Sequence, residues 1–154
     1  MISEVIANSL SPSITASRHF RVAEKADIRY LIAFHLVRFV GFYFLFLYSL
    51  GELPHNFAVR GGLGDIVVAV LALALLFCAG FSPAVVLWNL LGLMDIVAVV
   101  VTVARDEIAV PGSMHVLDRF PLILLPTCVV PLIIVTHGLM LVRAVRHRAT
   151  TRRS

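Results

Sequence analysis

The sequence predicts an all-α fold, an integral membrane four-helix bundle with both termini in the cytoplasm. Three observations predict it: the composition, four long apolar runs and the distribution of the basic residues. Of the 154 residues, 60% are hydrophobic and 14% are charged, whereas soluble domains average about 45–50% apolar and about 25% charged residues. This composition excludes a water-soluble enzyme, a secreted disulfide scaffold and a disordered chain.

Four apolar runs approach the length of about 20 residues that a helix needs to cross a bilayer. We predict a polar N-terminal segment, a four-span transmembrane domain and a basic tail at 1–29, 30–142 and 143–154. The predicted spans are about 30–50, 62–80, 84–104 and 120–142.

Turn-forming and helix-breaking residues separate these spans. Gly51 and Pro54 predict a loop after the first span, and Pro83 is suited to begin the third helix. Pro126 lies inside the fourth predicted span, where its missing N–H is expected to kink the helix. The charged stretch 105–119 predicts a second long loop.

The basic residues set the predicted orientation, because cytoplasmic flanks carry an excess of Lys and Arg. Three of the thirteen basic residues fall in the predicted loops, and nine lie near the ends of the chain: Arg18, Arg21, Lys25, Arg29, Arg143, Arg146, Arg148, Arg152 and Arg153. The termini are therefore predicted to be cytoplasmic. The expected partner of the apolar helices is the lipid bilayer. No nucleic-acid binding is expected, because no aromatic residues interleave the basic ones.

No cleaved signal peptide and no disulfide are expected. The first long apolar run begins near Tyr30, directly after a basic stretch, as in an uncleaved membrane anchor. The two cysteines, Cys78 and Cys128, fall at different predicted depths, so they are expected to remain free thiols.

Polar side chains inside the spans form the candidate binding cluster: Arg38, Asp65, Asn89 and Asp95. An ionisable side chain at a helix centre costs about 2.5–3.5 kcal/mol on insertion scales, so each needs a partner or a wet cavity. With a rise of about 1.5 Å per residue, Arg38 and Asp95 lie at similar depths and are predicted to form an ion pair. The pair is either structural or functional.

Asp65 is predicted to lie only about 5 Å below the outer face, because the second span begins near Gly62. In one interpretation it caps the second helix. In another it forms an outer mouth with Glu52, His55 and Arg60, which would bind a small cation or a hydrogen-bond donor. An enzymatic alternative uses Asp65 and Glu52 as acid and base, but no catalytic residue is assigned.

His35 and His137 are expected at matching depth, near the inner face. Two interfacial histidines commonly hydrogen-bond carbonyl groups. The alternative is an electron-transfer protein in which both imidazoles ligate a haem b. No spacing typical of another metal site, nucleophile or phosphate loop is present in the sequence.

A short internal likeness relates Gly62–Val67 to Gly92–Val97. Both segments read Gly-Leu-X-Asp-Ile-Val, in helices that run in opposite directions. We expect a chance similarity, because the segments are short and the two aspartates are predicted at different depths.

The stretches Arg38–Asp65, Trp88–Asp95 and Phe120–His137 resemble a group of small uncharacterised bacterial integral membrane proteins. More loosely, the chain is similar to DoxX-like four-helix membrane proteins, which also carry an acidic residue at the start of the second span. The first resemblance implies a bacterial inner-membrane location and no particular activity. We therefore expect a non-enzymatic binding, transport or accessory role through the polar cluster, with a small solute or a larger membrane complex as partner.

Overall fold

The computed structural model describes residues 27–77 and 83–151. Within these ranges the chain is helical and contains no strand. Four of its helices are long and apolar enough to cross a membrane: α1 (Ile28–Ser49), α2 (Asn56–Leu76), α3 (Pro83–Ala109) and α4, which begins at Leu125 and continues to Thr151. The predicted all-α class and the four apolar helices are confirmed. Cys78 lies outside the described residues, and Cys128 is a free, exposed thiol.

Three of the helices contain a segment that is not α-helical. The middle of α1, His35–Val40, is a 3₁₀ helix between the α-helical segments Ile28–Phe34 and Gly41–Ser49. The first turns of α2 (Asn56–Gly61) and of α4 (Leu125–Val129) are π-helical. All three segments border the site described below.

Two helices start a turn or more away from the predicted starts of their spans, and α3 and α4 extend past the predicted span ends, to Ala109 and Thr151. α2 begins at Asn56 instead of near 62, because Gly61 and Gly62 adopt helical backbone angles and not those of a loop. α4 begins at Leu125 instead of near 120, and the residues before it form turns. Pro121 and Pro126, which lack an N–H group, are suited to this turn and to the first turn of a helix.

The buried residues form two apolar clusters separated by a polar layer. One cluster lies at the end of the bundle that carries the loops 50–55 and 110–124, which we call the long-loop end, and it includes Phe44 and Phe57. The other lies at the opposite, terminal end and includes Ile32 and Trp88. The buried polar residues between them are His35, Arg38, Asp65, Asn89 and His137.

Contacts between neighbouring helices fix this arrangement. α2 packs against α1 and α3, whereas α4 packs mainly on α3 and touches α1 towards the terminal end. Trp88 in α3 donates its indole N–H to the carbonyl of Val68 in α2, at 3.0 Å. Arg29 at the start of α1 donates to the carbonyl of Leu76 at the end of α2, at 2.8 Å.

The crossing of α1 and α2 depends on two glycines. A Cβ on Gly41 would run into the backbone carbonyl of Gly62, and one on Gly62 would lie 2.9 Å from the Gly41 carbonyl oxygen. Backbone cannot move aside as a flexible side chain can. The two helices therefore approach this closely only because both residues lack a side chain.

We predict that Gly41→Ala lowers the free energy of unfolding by about 1–3 kcal/mol, because the added methyl group forces the helices apart. Gly138→Ala in α4 is the matched control, since a Cβ there has nothing within 4 Å. The control is expected to be neutral or stabilising by up to about 1 kcal/mol, from helix propensity. Denaturant titration in detergent micelles measures both, and equal stability of the two variants would contradict the close crossing.

Candidate functional site

Arg38 lies at the centre of the polar layer and binds three acceptors on two helices. Its Nε donates to Asp65 Oδ1 at 2.6 Å, and its Nη1 donates to the carbonyl of Gly92 at 3.0 Å. Its Nη2 donates to Asp95 Oδ2. Arg38 and Asp65 are almost completely buried, whereas the Asp95 side chain is 22% exposed. The predicted Arg38–Asp95 pair is therefore present, as part of a triad.

Asp65 does not have the position expected from the sequence. It neither caps α2, whose N-cap is His55, nor lies at an outer mouth. Because α2 begins at Asn56, Asp65 lies nine residues into the span, or about 13 Å at a rise of 1.5 Å per residue. That depth brings its carboxylate to Arg38.

The residues proposed to share the outer mouth with Asp65 are elsewhere. Glu52 lies on a loop, with a carboxylate oxygen 3.8 Å from Nε2 of His115. His55 and Arg60 are exposed at the start of α2. Asp65 and Glu52 therefore do not form the acid–base pair of the enzymatic alternative.

The internal likeness coincides with the triad. Asp65 and Asp95, the acidic residues of the two Gly-X-X-Asp segments, both bind Arg38. Glycine makes room in both places: a Cβ on Gly64 would overlap the Asp95 carboxylate, and one on Gly92 would lie 2.6 Å from Cε1 of His137. The expectation that the two aspartates lie at different depths is wrong.

A second hydrogen-bonded group joins α4 to α1 and α3 in the same layer. Asn89 donates to the backbone carbonyl of His137 at 3.1 Å and accepts from Nδ1 of the same residue at 2.7 Å. Thr136 donates its hydroxyl to the carbonyl of Ile133, so it accepts from Nε2 of His35, at 3.2 Å. His35 Nδ1 and His137 Nε2 are buried, and no hydrogen bond to either is present among the described residues.

The two histidines do not have the geometry of haem ligands. Their ring centroids lie 4.2 Å apart, so the imidazoles touch each other. Bis-imidazole ligation places an iron and the porphyrin plane between the two rings, and these rings leave no space for that plane. The residues present do not fit the haem alternative in this conformation.

A cavity of about 290 Å³ extends from the triad towards the long-loop end. Its walls come from all four helices and are apolar except for Arg38 and Asp65. Val37, Val100 and Ile134 line it and are about 40% exposed on the outer surface of the bundle. The cavity thus leads from the exposed apolar surface of the helices to the buried ion pair.

The irregular helical segments form two walls of this cavity. In a 3₁₀ helix, residues three apart lie on one face. His35 and Arg38 accordingly face the polar layer, while Val37 and Val40 line the cavity. On the opposite wall, the wider π-helical turn Leu125–Val129 also contributes lining residues.

Residues 5–145 match a family described as a domain of unknown function, DUF8737. No curated protein and no solved structure matches the chain. The resemblance to an uncharacterised group thus corresponds to a family without an assigned function. The looser similarity to DoxX-like proteins finds no support in these comparisons.

We predict that Arg38→Met lowers the free energy of unfolding by about 3–5 kcal/mol, because it leaves the buried carboxylate of Asp65 and the partly buried one of Asp95 without a cation. The triple variant Arg38→Met/Asp65→Asn/Asp95→Asn removes all three charges and is expected to recover most of that loss. Denaturant titration in detergent measures both variants.

The matched control is Arg60→Met, which removes an exposed arginine of α2 and should change stability by less than about 0.5 kcal/mol. An Arg38→Met variant as stable as Arg60→Met would show that the triad does not hold the helices together.

Proposed function

We propose that this chain, which belongs to the DUF8737 family, is a multi-pass membrane protein that binds a small lipophilic molecule between its helices. The apolar part of the molecule would occupy the cavity and its polar head would contact Arg38 and Asp65. The protein would then either transport the molecule or present it to a larger membrane complex. Both roles begin with this binding step.

The proposal rests on one observation: the cavity ends at the buried Arg38–Asp65 ion pair. A volume of about 290 Å³ is close to the lower end of the range of about 300–1,000 Å³ for small-molecule sites. Such sites combine mostly apolar walls with a few polar groups that orient the ligand. Arg38 and Asp65 are the polar groups of this cavity.

The surface of the helices supports a location in the bilayer. Large apolar side chains are exposed on each helix, among them Phe42, Val67, Met94 and Val135. In water such a surface would promote aggregation, whereas in lipid it has no cost. We propose the bacterial inner membrane as the location, with both termini in the cytoplasm.

We predict that Val130→Trp abolishes binding, because Val130 lines the cavity and an indole would fill it. Val135→Trp is the matched control on the same helix, since Val135 is 63% exposed and does not line the cavity. Solvent extraction of the purified proteins, followed by mass spectrometry, measures the molecules that co-purify.

A small molecule present in the wild type and in Val135→Trp, and depleted at least about tenfold in Val130→Trp, is the expected result; tenfold corresponds to about 1.4 kcal/mol. If all three proteins carry the same extractable molecules, at the same levels, the cavity is not the binding site.

The orientation is tested separately. A reporter enzyme active only in the periplasm should give no signal when fused after Ser154, and a signal when inserted into the loop 110–114, because nine basic residues flank the termini and three the loops. The reverse pattern of activity would overturn the proposed topology.

A further inference from the structure

We propose that the molecule bound in the cavity is a lipophilic ammonium ion, and that it binds in exchange for a proton held by the Arg38–Asp65–Asp95 cluster. This inference rests on the proposed function and names the chemistry of its ligand. It follows from the charge of the cluster, from the free acceptor on Asp65 and from the shape of the cavity.

The cluster contains one more anion than it has cations. Arg38 supplies one positive charge, and Asp65 and Asp95 supply two negative charges when both are ionised. A buried carboxylate without a cation is costly, and such a group is neutralised by a proton or by a counter-ion. Without a ligand, the cluster therefore holds one proton. A cation that enters the cavity replaces this proton as the neutralising charge.

The free acceptor lies on Asp65, at the cavity. Its Oδ1 accepts from Arg38, and no hydrogen bond to its Oδ2 is present among the described residues. Asp65 is 4% exposed and lines the cavity, whereas Asp95 is not among the lining residues. An ammonium group at the end of the cavity would donate to this oxygen.

Arg38 disfavours an anionic ligand. Three of its five N–H groups already donate to protein acceptors, namely Asp65, the Gly92 carbonyl and Asp95. A carboxylate or phosphate head would add an uncompensated negative charge to a cluster that already has more anions than cations. Charge balance also favours a cation over a neutral alcohol, because an alcohol cannot neutralise the excess negative charge of the cluster.

The groups that face Asp65 limit where the exchanged proton can reside. Arg38 of α1 and Asp95 of α3 belong to the cluster itself. His35 of α1 and His137 of α4 lie in the same buried layer, and each retains a nitrogen without a hydrogen-bond partner among the described residues. On α2 the other charged residue is Arg60, which is exposed. The experiment must therefore separate the carboxylates from the histidines.

The exchange involves no redox chemistry. The O–H bond of one carboxyl group in the cluster breaks and its proton goes to bulk water, while the ammonium N–H groups donate hydrogen bonds to the resulting carboxylate. One cation enters for each proton that leaves, so the charge inside the bundle is unchanged.

Three probes with the same tail test the inference: n-octylamine, 1-octanol and octanoate. Each is titrated into the full-length protein in nonionic detergent by calorimetry, with Val130→Trp as the blank for partition into micelles. Repeating the titration in two buffers that differ in ionisation enthalpy gives the number of protons released. Octylamine stays protonated at neutral pH, as a lysine amine does.

We expect octylamine to bind at least about tenfold more tightly than octanol at pH 8 and to release one proton per molecule. Its apparent affinity should rise about tenfold per pH unit while the cluster holds its proton, because binding and deprotonation are linked. Octanol affinity should be independent of pH, and octanoate should bind most weakly. These titrations leave Arg38, Asp65 and Asp95 unchanged, so they do not depend on whether a protein with a substitution at one of these residues folds.

Asp65→Asn locates the proton. This variant leaves Arg38 paired with Asp95 alone, so octylamine binding should weaken, its proton release should disappear and octanol binding should persist. Proton release that continues in Asp65→Asn would assign the proton to a histidine and overturn the inference.

The remaining outcomes separate the two proposals. If octylamine and octanol bind equally without proton release, or if octanoate binds best, the exchange is wrong and the cavity remains a binding site. If no probe binds the wild type more tightly than it binds Val130→Trp, both proposals are wrong.

Discussion

The arginine in the middle of α1 is the constraint on which the rest of the structure depends. A guanidinium ion has no stable place among apolar helices unless acceptors surround it, because the desolvation of a buried charge is costly. Arg38 obtains these acceptors from α2 and α3 at the same time. The position of one side chain therefore fixes the register of three helices, and Asn89 extends this register to α4 through His137.

The residues of this layer could be recognised from the sequence, because a charged or amide side chain inside an apolar run is conspicuous. His35, Arg38, Asn89 and His137 are all buried in the structure. The Arg38–Asp95 pair could also be predicted, since counting residues from the terminal end of each helix gives similar depths. A depth estimate of this kind is reliable only where the start of the helix is known.

The position of Asp65 could not be predicted from the sequence. Its predicted depth was wrong because the glycine-rich stretch before it resembles a turn, whereas the backbone there continues as a helix from Asn56. The internal likeness of Gly62–Val67 and Gly92–Val97 held the missing information, because both segments supply an aspartate to the same arginine. The cavity could not be predicted at all, since it depends on how side chains from all four helices pack.

Two irregular helical segments connect the cavity with the ion cluster. A 3₁₀ helix is narrower than an α-helix and a π-helix is wider, and both are found preferentially near functional sites. The 3₁₀ segment His35–Val40 aligns His35 with Arg38 towards the polar layer, and the π-helical turn Leu125–Val129 faces it across the cavity. In the function we propose, a lipophilic molecule would reach Asp65 between these two irregular segments.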